Sequence, residues 1–157
     1  MKRLFILSFL SLSIFSYAQI ESFDSTHIEK FKKDMWGTYK EILKENMTLN
    51  EEQSKIFWPL VDQYIADRNK VFEQRVAATE EYMMNYYGMD DPTAKDLLNK
   101  AMALEQELMD IQKANIEKML EQLPAPVVGK FYQVDVRITS LANLARMAST
   151  PLVRDQK

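Results

Sequence analysis

The chain has 157 residues, with 20 basic and 23 acidic side chains, one histidine and no cysteine. Losing Lys2 and Arg3 with a leader takes the basic count from 20 to 18 and the net charge from −3 to −5. That balance argues against a nucleic-acid partner, which needs a basic face, although Lys30, Lys32 and Lys33 form a local basic patch. The missing cysteine excludes disulfides and a lipid-modified cysteine alike, so packing alone must hold the fold.

Residues 1–18 read as a cleavable secretory signal. Lys2 and Arg3 give a basic start, Leu4 to Phe15 is an apolar run broken only by serines, and Ser16-Tyr17-Ala18 supplies the small residues that a signal peptidase reads. The run is shorter than the ~20 apolar residues of a comfortable membrane span, which disfavours an uncleaved anchor. Cleavage after Ala18 leaves a chain of 139 of the 157 residues beginning at Gln19, exported to the periplasm. Such a chain is long enough to bury one core, so residues 19–148 are expected to form a single helical domain and 149–157 a C-terminal tail.

Three glycines, five prolines and no bounded apolar/polar alternation predict an all-α protein. Helix one is expected from about Ser25 to Asn46, with Ile28, Phe31, Met35, Tyr39, Ile42 and Leu43 on one face and Gly37 inside it. Helix two opens at Leu49-Asn50-Glu51-Glu52-Gln53. There the Asn50 side chain is expected to accept from the Gln53 N–H and the Gln53 amide to take the Asn50 N–H, while Glu51 and Glu52 complement the helix dipole. Apolar pairs recur about once a turn from Ile56/Phe57 to Tyr86/Tyr87, apart from a gap at Asp67-Arg68. Pro59 either bends this helix or separates two shorter ones, and Gly88 is the expected C-terminal cap. From Glu51 to Tyr87 a continuous helix would run roughly 55 Å.

Asp91-Pro92 predicts the restart, with Asp91 as N-cap and Pro92 at the first helical position. Helix three then carries Leu97/Leu98, Ala101, Leu104, Leu108, Ile111, Ile116 and Met119/Leu120 and ends before Pro124. Helix four, about Pro126 to Ala148, presents Val127, Phe131, Val134, Ile138, Leu141 and Ala145 to a core. Pro151-Leu152-Val153 has the composition to pack back on the bundle, and Arg154 to Lys157 to fray. Short breaks between long helices favour antiparallel neighbours. The expected architecture is an elongated four-helix antiparallel bundle with long second and third helices, its leftover apolar stripe covered by a second copy or by a client.

The inventory points away from catalysis. There is no cysteine nucleophile, no serine elbow and no phosphate-cradling glycine loop. The carboxylate pairs Glu51/Glu52, Glu80/Glu81 and Asp90/Asp91 are adjacent residues that diverge by roughly 100° on a helix, which suits a solvated surface. Ten methionines, nine of them beyond the leader, raise the question of soft-metal binding. Met83, Met84 and Met89 cluster near the turn between helices two and three, and Met102 and Met109 lie seven apart on helix three. Gap-filling and adaptable surfaces explain methionine more simply, and His27 alone cannot furnish a zinc site. No metal or cofactor is therefore assigned. Tyr82, Met83, Met84, Tyr86 and Tyr87 combine amphipathic and compliant side chains and form the candidate client-binding cluster, unless they close the bundle end or a dimer seam.

Leu49-Asn50-Glu51-Glu52-Gln53, followed by Ile56-Phe57-Trp58-Pro59-Leu60, resembles the LTxxQ signature of the Spy/CpxP-like periplasmic stress proteins. Leu49 and Gln53 match it and Asn50 stands for Thr. The second copy usual in that superfamily corresponds to Leu123-Pro124-Ala125-Pro126-Val127, which keeps Leu123 but has Pro124 for Thr and Val127 for Gln. Trp58-Pro59 together with Phe131-Tyr132-Gln133-Val134-Asp135 is similar to a Bacteroidetes-type branch, often encoded with sigma-factor systems. The resemblance implies an antiparallel helical homodimer of the envelope stress response. Its partners would be unfolded or partly folded envelope proteins, bound without ATP, or a membrane-bound sensor that it regulates; some members respond to metals such as copper or zinc.

Overall fold

The computed structural model describes residues 25–153, so the expected leader over residues 1–18, residues 19–24 and Arg154 to Lys157 lie outside the described residues. Four helices follow in order: α1 Ser25–Asn46, α2 Glu51–Asn85, α3 Asp91–Leu120 and α4 Ala125–Ser149. Among the described residues there is no strand, and no helix is long and apolar enough to cross a membrane. The all-α, four-helix expectation holds.

Cross-helix bonds give the topology. Lys32 meets Glu73 and Lys40 meets Asp62, so α1 and α2 run antiparallel. Lys100 meets Glu81 and Arg75 meets Glu105, which sets α3 antiparallel to α2. Gln112 meets Asp135 and Arg146 meets Glu105, which returns α4 antiparallel to α3. The result is an up-down-up-down bundle, the arrangement that short connections favour.

Helix α2 is one continuous element of 35 residues with Pro59 inside it. Pro59 and Lys55 are both exposed, so the backbone bond that proline removes lies on the watered face, where solvent replaces the missing donor. At its start the capping box forms as expected. The Asn50 side chain accepts from the Gln53 N–H at 2.8 Å, and the Gln53 side chain accepts from the Asn50 N–H at 3.1 Å. At its end the helix stops at Asn85 rather than Tyr87. The exit is tightened by bonds from the Tyr86 N–H to the Met83 carbonyl and from the Gly88 N–H to the Asn85 carbonyl, with Gly88 outside the left-handed region.

The cap of α3 lies one residue earlier than expected. The Asp90 side chain accepts from the Thr93 N–H at 2.9 Å, and the Thr93 side chain first, with this backbone bond second, holds its carboxyl below the usual range. Asp91 becomes the first helical residue and Pro92 the second, both tolerated in a first turn. Pro124 takes the N-cap position of α4 without a side-chain bond.

The core gathers Tyr39, Leu43 and Met47 of α1 and its exit, Phe57, Val61 and Tyr64 of α2, Met119 of α3 and Leu123 just after it, and Val128, Phe131 and Val134 of α4. Phe131 is its hub, with edge-on contacts to Phe57 (5.6 Å between ring centroids) and Tyr64 (5.8 Å). The buried face of α1 is rotated by about one residue from the expected one. Lys32, Tyr39 and Leu43 are buried, Met35 and Ile42 are half-buried, and Phe31 is exposed but stacked on Phe72. Polar partners on α2 cause the rotation: Lys32 binds Glu73, and the Trp36 indole donates to Asn69. The side chains of Ile28 and His27 lie outside the described residues.

On α4, Ile138 is half-buried, but Leu141 and Ala145 are exposed rather than in the core. Beyond Ile138 the helix meets the body through Arg146, 3.5 Å from Glu105, while Leu141, Leu144 and Met147 face solvent. The tail touches the hairpin through the Tyr82 hydroxyl, which donates to the Pro151 carbonyl at 2.8 Å. Leu152 and Val153 are exposed there.

Candidate functional site

Two features of the bundle carry chemistry that its core does not explain. The first is a buried carboxylate. Asp135 has no exposed surface, and its two oxygens accept four bonds from the other three helices. Tyr39 of α1 donates to Oδ1 at 2.8 Å and Arg68 of α2 at 2.9 Å; Tyr64 of α2 donates to Oδ2 at 2.9 Å and Gln112 of α3 at 2.7 Å. Arg68 also donates to the Tyr64 hydroxyl and lies over the rings of Trp36 (5.8 Å) and Tyr64 (5.2 Å), where the ring faces favour a cation.

Burial pushes the hydroxyls of Tyr39 and Tyr64 well above the usual tyrosine range, and the Asp135 charge pushes the same way. Both remain protonated donors at neutral pH. With every lone pair occupied and the carboxylate sealed from solvent, this is a fastening in which one residue fixes the register of four helices. Sequence reading passed over it, yet two signals were present. Asp135 interrupts the apolar run Val134–Val136, and Arg68 occupies the turn where the α2 periodicity fails. Each marks a charge turned inward toward the other.

The second feature is an apolar stripe on α3. At 100° per residue, Leu98, Met102, Met109, Ile116 and Leu120 fall within roughly 40° of one direction over about 33 Å of helix. Leu98 is 60% exposed, Met102 62%, Met109 65% and Leu120 49%, with Ile116 half-buried. The lower part of the stripe forms one wall of an open groove of about 680 Å³ between α3 and α4, with Val128, Gly129 and Tyr132 opposite. A Cβ on Gly129 would meet nothing within 4 Å, so the floor there is unobstructed. Asp110 and Lys113 supply one charge of each sign along the groove. Such a surface offers apolar contact without selecting a strongly charged partner.

The expected client-binding cluster is brought together in part. The rings of Tyr82 and Tyr86 lie 5.9 Å apart and those of Tyr86 and Tyr87 5.2 Å, both edge-on. Tyr82, Met83 and Tyr86 are half-buried, and Tyr82 is engaged with the tail, whereas Met84 and Tyr87 stand open at 84% and 79%. Leu49, Asn50 and Gln53 act as a helix start, with Leu49 half-buried against the core. Among the described residues, no three His, Cys, Asp or Glu side chains converge as a metal site would need. A leftover apolar stripe is expected from the sequence, but its residues are not: Leu98, Ile116 and Leu120 share the periodicity of the core-facing leucines, and Met102 and Met109 stand out there only as possible soft-metal ligands. Which of two adjacent leucines, Leu97 or Leu98, turns inward depends on where α2 and α4 sit.

No family model matches the chain, and neither a curated protein nor a solved structure matches it.

Proposed function

We propose that this protein is an exported, chaperone-like binder that holds apolar segments of other envelope proteins without ATP and without catalysing a reaction. One observation carries the reading. Leu98, Met102, Met109, Ile116 and Leu120 form a continuous apolar line, largely exposed, on a bundle whose four helices are fastened elsewhere by Asp135. A rigid body with a compliant methionine and leucine face suits many loosely specified apolar segments. Met84 and Tyr87 at the α2–α3 turn add exposed apolar surface of the same kind.

The leader-like residues 1–18 and the resemblance to the Spy/CpxP-like stress proteins support the compartment and the activity. A homodimer belongs to the same reading, with the exposed Leu141, Leu144 and Met147 of α4 as its candidate seam. Sedimentation of the exported form tests it: a concentration-independent monomer rejects the dimer.

The functional test is the aggregation of a chemically denatured client diluted into buffer with a few-fold molar excess of this protein. The reading predicts delayed and reduced light scattering with no nucleotide added. Unchanged scattering across several unrelated clients rejects it. Retrieval of one dominant envelope partner under calm conditions and its release under stress would instead mark a dedicated regulatory subunit.

A further inference from the structure

We propose that Met102 and Met109 are oxidation sites, and that their conversion to sulfoxides by peroxide switches off the α3 apolar stripe. The chemistry of this proposal stands on the structure, and only its consequence rests on the client-binding reading above.

Among the described residues the methionines range from open to sealed, with Met35, Met83 and Met89 half-buried between the extremes. Met84, Met102, Met109 and Met147 are 84%, 62%, 65% and 67% exposed, whereas Met47 and Met119 are 9% and 0%. Met119 is further shielded by a contact from the Asn115 amide to its sulfur at 3.7 Å. Thioether oxidation follows access to the sulfur. The chain has no cysteine, so no thiol intercepts the oxidant and methionine is its only sulfur. Of the four exposed methionines, Met102 and Met109 occupy the middle of the stripe, seven residues apart and on the same face.

The reaction balances with hydrogen peroxide alone. A sulfur lone pair takes one oxygen, an S–O bond forms as the O–O bond breaks, sulfur is oxidised by two electrons, and the peroxide leaves as water. The product is a polar, chiral side chain in place of an apolar one. Two sulfoxides at the centre of the stripe leave Leu98 at one end and Ile116 and Leu120 at the other, and so divide one long apolar line into two short ones. Methionine sulfoxide reductases reverse the change: a dithiol supplies two electrons and two protons and becomes a disulfide, the S–O bond breaks and the oxygen leaves as water, which makes the pair a switch.

The test treats the purified protein with limiting hydrogen peroxide and maps oxygen gain peptide by peptide. The proposal predicts that Met102 and Met109 oxidise on the order of tenfold faster than Met47 and Met119, as their exposure dictates. Binding of an environment-sensitive apolar dye, and of a denatured client, should fall several-fold after oxidation. In a Met102→Leu/Met109→Leu variant, which still contains Met84 and Met147, the same treatment should cause no fall relative to that variant's own binding before oxidation. Equal oxidation rates at the buried and exposed methionines overturn the site assignment. Loss of dye binding in the oxidised leucine variant overturns the switch. Failure of the unoxidised protein to hold any client rejects the function proposed above, while the oxygen map and the dye still decide this proposal.

Discussion

At the end of the bundle where the α1–α2 and α3–α4 connections lie, Phe57, Tyr64 and Phe131 interlock, and Asp135 draws bonds from the three other helices. At the α2–α3 end, Val71, Leu97 and Leu104 are the buried apolar residues, and surface pairs such as Lys100 with Glu81 and Arg75 with Glu105 join the helices. Exposed pairs contribute little, whereas large buried side chains and a saturated buried carboxylate contribute much. The first end fixes the fold on its inner faces while the outer face of α3 stays open along its whole length, from Leu98 and Met102 at one end to Met109 and Leu120 at the other. Fastening inside and exposure outside are thus separated across α3 rather than along the bundle, while the weaker packing at the α2–α3 end makes that end the easier one to open.

The comparison breaks most sharply at Asp135. Asp135→Ala strands Arg68, Tyr39, Tyr64 and Gln112 without their shared acceptor and should cost about 3–5 kcal/mol, the range for removing one partner of a buried pair. The denaturant midpoint measures it. A loss no larger than that of a surface substitution would mean that the carboxylate fastens nothing.

Alkaline pH probes the same cluster with no mutation. Tyr39 and Tyr64 are raised above the ordinary value of 10.0 by burial. Below about pH 10 both folded and unfolded states hold these protons, and stability is unaffected. Above it the unfolded chain releases protons that the folded one retains, so stability falls with rising pH. Tyr39→Phe/Tyr64→Phe should flatten that alkaline slope while lowering stability at pH 7. An unchanged slope would place the effect elsewhere. At the boundary of the same region, Asn50→Ala removes the cap of α2 and should cost about 1 kcal/mol by thermal or denaturant unfolding.

The parts of the fold governed by local chemistry were legible in the sequence. The capping box at Asn50 and Gln53 depends on residues three apart, and the four helices depend on periodicity and proline breaks, so both follow without knowledge of the neighbours. The Asp90 cap shows the limit. Two adjacent aspartates offer the same side chain, and which one caps is set by the approach of the Thr93 N–H. The Asp135 cluster draws on residues as far as 96 positions apart, and nothing local announces which interior charge will meet which. Likewise, the exposed α3 stripe is composed of the residue types that fill cores. Leu98 and Leu104 differ in burial only because α2 covers one side of α3 and solvent the other.

The smallest stability effects are expected on the stripe itself, and they carry the largest functional consequence. Met102→Lys/Met109→Lys alters two exposed positions and should leave unfolding free energy within about 0.5 kcal/mol per site. The most direct test of the account is therefore the suppression of client aggregation by this variant beside the parent protein, with unfolding curves recorded on the same samples. The account predicts a several-fold loss of suppression with the unfolding curve essentially unmoved. Undiminished suppression by an equally stable variant would contradict it.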